Sequence, residues 1–152
     1  MITYNDSKTK ATLLQLADKI VSGFGTASNL VRFMSFAIYD IHKHIINKRE
    51  IESDDAMWAM TMIMQNISEA WIDAKDDPID KISTALFNLM RTHDSEWIKD
   101  QFYRAYAAHL LDNTIDSAIC REDHNLNQSR FNILLEIGLV LDELEEHQKK
   151  AA

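Results

Sequence analysis

One cysteine, one proline and three glycines in 152 residues leave little material for turns, disulfides or phosphate-cradling loops. Cys120 has no internal disulfide partner, and a lone thiol is no metal centre, so a disulfide-stapled secreted fold is disfavoured and a reducing, cytoplasmic setting is expected. Sandwiches and barrels use Gly and Pro at their many turns; their scarcity argues for long helices joined by few connections. There is no Gly-flanked Ser elbow and no Gly-rich phosphate loop, which removes the commonest nucleophile and nucleotide motifs. The segment Met1–Lys10 is polar, unlike the apolar core of a signal peptide. No apolar run approaches the ~20 residues of a membrane span; the longest, Ile133–Leu141, is broken by Glu136 and Gly138. A basic footprint is missing too. The net charge of −8 makes direct nucleic-acid binding an unfavoured reading.

What is present is ordinary in amount and uneven in placement. A hydrophobic share of 46% with 26% charged residues is that of a globular domain. A chain of this length buries roughly 70% of the surface that it exposes when unfolded. Residues 1–50 carry seven Lys/Arg against four Asp/Glu, residues 51–100 four against eleven, and the remainder five against nine. The middle of the chain is therefore strongly acidic, suited to a partner with a basic surface, because complementary fields raise on-rate and specificity.

Apolar residues recur at spacings of three and four throughout, with no sustained alternation, so the expected fold is all-α. Asn5 or Asp6 caps a first helix with Leu13, Leu16, Ala17, Ile20 and Phe24 on one side, ended by Gly23 and Gly25. A second follows Thr26 or Ser28, with Leu30, Met34, Ala37, Ile41 and Ile45 inward and a basic last turn around Lys43–Arg49. Ser53-Asp54-Asp55 opens a Met-rich helix. Asp76-Asp77-Pro78 breaks the chain, and Asp77 caps a fourth helix with Ile79, Ile82, Leu86 and Leu89 inward. Asp94-Ser95-Glu96 starts a fifth, reaching about Ala118. Arg121–Gln128 reads as a polar connection to a last helix over about 129–148, with Ile133, Ile137, Val140 and Leu144 inward and Leu134 and Leu141 beside them. Gly138 within it suggests a close helix crossing. The prediction is a single-domain bundle of six to seven helices over residues 1–152, its ends (about 1–5 and 148–152) frayed.

The Met-rich helix is apolar on more than one side. Met57, Met60, Met64, Ile67, Trp71 and Ala74 form a full stripe, and Trp58 with Met62, one turn apart, are left on a second face. Surface helices carry one stripe, so this pair marks either the centre of the bundle or a surface for a partner. Buried Trp often anchors interfaces, and Met adapts to irregular partners. The acidic run Asp73, Asp76, Asp77 and Asp80 is ordinarily capping chemistry around the proline, yet clustered carboxylates also meet basic protein surfaces.

Other constellations are weaker. His109, Asp112 and Asp116 share one helix face; with Glu136, Glu143 and Glu146 of the last helix they offer a divalent-metal cage. A local His109–Asp112 hydrogen bond is the plainer account. His42 and His44 point to different faces. His93-Asp94 is a pair that ligates metal when other helices add ligands, but a helix-end His beside a capping Asp explains it. His124 and His147 fall in polar segments and are expected to be solvated. The Lys43–Arg49 end with Tyr39 is too small for a confident phosphate-binding patch.

The leading expectation is a non-catalytic protein-binding module: a small acidic inhibitor, immunity or adaptor protein that occludes or bridges a partner, among which nucleic-acid-handling proteins expose suitable basic grooves. Its contacts would be Trp58, Met62, Asp73, Asp76, Asp77 and Asp80, with no cofactor, no metal and no membrane. A homo-oligomer remains compatible. The alternatives are a metal-dependent all-α hydrolase built on His109, Asp112, Asp116 and Glu136, and a helical subunit of a nucleoprotein assembly.

Overall fold

The computed structural model describes residues 4, 6–35, 53–100 and 121–151, and every regular element among them is helical. We label these α1 (Ser7–Phe24), α2 (residues 27–35), α3 (Ser53–Asp73), α4 (Pro78–Thr92), α5 (residues 95–100) and α6 (Arg121–Ala151). The helices form the expected all-α bundle. α1 packs against both α4 and α6, and α3 packs against the other side of α4.

α1 begins where Asp6, in extended backbone, accepts from the Thr9 amide at 3.1 Å and the Thr9 hydroxyl at 2.8 Å. Such a cap contributes about 1 kcal/mol. Leu13, Leu16, Ala17, Ile20 and Phe24 are all buried, as their spacing predicts. Gly25 closes the helix at φ 74°, its N–H reaching Val21 O. Gly23 does not terminate α1 as expected; it sits in the last turn. A Cβ there would run into Ile133 Cδ1 of α6, so any larger residue at Gly23 would have to displace the tip of that side chain. Arg130 of α6 donates from Nε to Gly23 O at 3.0 Å and lies 5.5 Å from the Phe24 ring centroid. Asn29 adds a bond to Phe24 O.

Thr26 caps α2 by accepting from the Asn29 amide, and Leu30 and Met34 turn inward. Ala37, Ile41 and Ile45 lie outside the described residues, as do the Lys43–Arg49 end, Tyr39, His42 and His44. In α4, Pro78 occupies the first turn behind Asp77, whose Oδ1 accepts from the Ile79 and Asp80 amides. Ile82, Leu86 and Leu89 are buried and Ile79 partly so.

α6 corrects one expectation. Arg121–Gln128 is helix rather than connection, which is natural for a stretch with no Gly or Pro and several good helix formers. Its buried seam is Leu134, Ile137, Leu141 and Leu144, with Ile133 and Val140 at the margin. Gly138 is buried within it. The segments expected to fray are tied down at two points. Tyr4 packs on Phe87 with ring centroids 5.0 Å apart and shares a hydrogen bond with Ser83, while Gln148 donates to Thr9 at 2.8 Å.

Among the described side chains of α3, Ile63 and Ile67 are the most deeply buried, with Met64 and Trp71 partly buried against the same core. Part of the predicted stripe is thus inward, though Ile63, outside that stripe, is buried more deeply than Met64 or Trp71. The side chains of Met57, Trp58 and Met60 lie outside the described residues. Ser68 is 4% exposed and its hydroxyl has no hydrogen-bond partner among the described residues, which is a costly way to place a polar group.

Two substitutions test this packing. Ser68→Ala removes the orphaned hydroxyl and improves helix propensity, so the urea midpoint should rise by the equivalent of roughly 1 kcal/mol. Gly25→Ala forces an L-residue to a positive φ that only glycine adopts freely and should lower it by about 1 kcal/mol.

Candidate functional site

The break at Asp76-Asp77-Pro78 folds α3 back along α4, and the furrow between them is open to solvent. It forms a groove of about 520 Å³. Met62, Ala85 and Leu89 provide its apolar lining; Asn66, Glu69 and Asp73 line it from α3, and Lys81, Asn88 and His93 from α4. At the charged end of the groove α3 stops, and Ile72 stands there 66% exposed. Among the described residues only Leu139 of α6 is another large apolar side chain so presented, at 43%.

Local helix chemistry separates the acids at this end into two kinds. Asp77 and Asp80 occupy the N-terminal end of α4, where Asp77 caps amides and Asp80 lies in the first turn. A negative charge belongs there, because the helix dipole is positive at that end. Glu69 and Asp73 are the reverse. They lie four apart near the C-terminus of α3, at the negative end of its dipole, and the last turn has no basic residue. Like charges at that spacing also repel. Neither carboxylate makes an ion pair among the described residues, although Lys81 lines the same groove. Asp76 is exposed in the turn. Capping thus accounts for Asp77 and Asp80, while Glu69 and Asp73 oppose the α3 dipole and each other, with the exposed Ile72 beside them.

Comparison with protein-family models, curated proteins and solved structures gives no match. The site therefore stands on its own geometry. Of the six contacts predicted from sequence, Met62 and Asp73 both line the groove, Asp76, Asp77 and Asp80 are exposed in the α3–α4 turn and the first turn of α4 but are not part of the groove's lining, and Trp58 lies outside the described side chains. Met62 is half-buried, lining the groove rather than filling the core. No helix among the described residues is long and apolar enough to cross a membrane.

Most of the metal constellation falls beyond what the structure describes. His109, Asp112, Asp116 and Cys120 lie outside the described residues. Glu136 is paired instead with Lys19 of α1 across the helix interface, and Glu143 and Glu146 face solvent. No group of three or more His, Cys, Asp or Glu converges within the described set. His93 is the C-cap of α4, its N–H bonded to Leu89 O, and its ring stacks on Trp97 at 4.1 Å and 14°. Asp94 caps α5 by accepting from the Trp97 amide at 2.8 Å, as the ordinary account of that pair requires.

Sequence reasoning missed two polar junctions at the C-terminal end of α6. His147 is not simply solvated: its Nε2 lies 3.0 Å from Asp6 Oδ2, joining the last helix to the cap of the first. Ser95 is 1% exposed; its amide donates to Glu145 Oε2 at 2.7 Å, and its hydroxyl bonds Glu145 and Asp142. Lys149 sits 3.4 Å from Glu145 and Lys99 sits 3.8 Å from Asp142. The one hint in the sequence was position: Glu145 follows Leu141 by four, at the edge of the buried seam.

Both carboxylates titrate low. Hydrogen bonds from the Thr9 hydroxyl and amide hold Asp6 below its ordinary value of 3.8; desolvation opposes them, and His147 adds a lesser lowering. Burial pushes Glu145 up, but the Ser95 hydroxyl and amide together with Lys149 outweigh it and leave the group below 4.5. A depressed native pKa means stability that is complete above the unfolded value and is lost as pH falls through the native one. Acid titration should therefore show the stability that Asp6 and Glu145 confer unchanged above the ordinary carboxylate range and declining below it. Glu145→Ala should cost roughly 1.5–3 kcal/mol at neutral pH and flatten that acid limb, measured by urea unfolding at each pH.

Proposed function

We propose that this chain is a non-catalytic protein-binding module that engages a partner with a basic surface through the α3–α4 face. The observation that carries the reading is the coincidence at the end of α3: two acids at the wrong pole of a helix, four residues apart, beside an isoleucine that is 66% exposed. The charges at the dipole's negative end and their mutual repulsion each cost a few tenths of a kcal/mol up to about 1 kcal/mol, and neither is offset inside the described bundle. Rules broken together at one place are the usual mark of a surface held for something other than stability.

The chemistry of the face fits such a role. Ile72 offers an apolar anchor three residues from Glu69, hence beside it on the helix surface. Asp73 and Asp76 extend the negative rim, and Met62 on the groove lining can reshape to a partner. Complementary charge would speed the encounter and set its orientation, while the apolar contact would slow dissociation. Inhibitors, immunity proteins and adaptors act through surfaces of this kind, by covering or bridging a basic face of their target.

The double substitution Glu69→Gln/Asp73→Asn tests this directly. Removing charges that oppose the dipole and each other should raise stability by roughly 0.5–1 kcal/mol, yet weaken capture of the partner from an extract of the native host. Ile72→Ser should lose the same captured protein with stability changed by less than about 0.5 kcal/mol, and Leu139→Ser should retain it. Equal capture by all four proteins would remove the proposal.

A further inference from the structure

We draw no further inference here: the strongest candidate, the half of the α3–α4 groove walled by Asn66, Asn88, Thr92 and His93, belongs to the face already described, and nothing in the structure shows what covers it.

Discussion

The burial of α1 between α4 and α6 is the constraint on which the other placements depend. Its seam of Leu13, Leu16, Ala17, Ile20 and Phe24 is almost wholly removed from water, each large side chain contributing about 1.5–3 kcal/mol relative to exposure. That seam fixes α4 on one side, and α4 in turn positions α3. On the other side the missing side chain of Gly23 leaves space that the tip of Ile133 of α6 occupies. The groove between α3 and α4 is thus supported from below by a helix that contributes none of its lining.

Polar contacts fix what apolar burial leaves loose. Hydrophobic contact is non-directional, so it does not by itself set how far α6 slides along α1. Arg130 on the Gly23 carbonyl and His147 on Asp6 hold the two helices at both ends of α1. Glu145 and Asp142 do the same for the start of α5 through Ser95. The helix ends, which carry unsatisfied amides and carbonyls, are the places where this bundle acquires its register. The pairing of Lys19 with Glu136 is exposed and adds little.

Local chemistry was legible in the sequence wherever one residue decides the outcome. Asp6, Thr26, Asp77 and Asp94 each cap a helix near the position predicted, because a capping oxygen acts on amides two or three residues away. The seams of α1 and α4 follow from spacing alone. Inter-helix contacts were not legible, since spacing says which face is apolar and not what it meets. Gly23 reads as a terminator until α6 is placed against it, and His147 reads as solvated until Asp6 lies beside it. For the same reason the acidic run could not be divided from sequence. Asp77 and Asp80 are explained by α4, whereas Asp73, and Glu69 which the run omitted, become anomalous only once α3 is seen to end beside them. Met62, which spacing leaves outside the inner stripe, is half-buried and lines the groove. Its companion Trp58 falls outside the described side chains.

The proposed role rests on a contrast between two ends of a helical hairpin: acids that stabilise α4 and acids that destabilise α3. If the second set is held for a partner, the partner must cover it. Hydroxyl-radical footprinting of the chain alone and in complex with the captured protein reads this directly, because Met and exposed aliphatic side chains both report. The account predicts that oxidation of Met62 and Ile72 falls in the complex while that of Leu139 is unchanged. Protection of Leu139 with Met62 and Ile72 unaffected would contradict it.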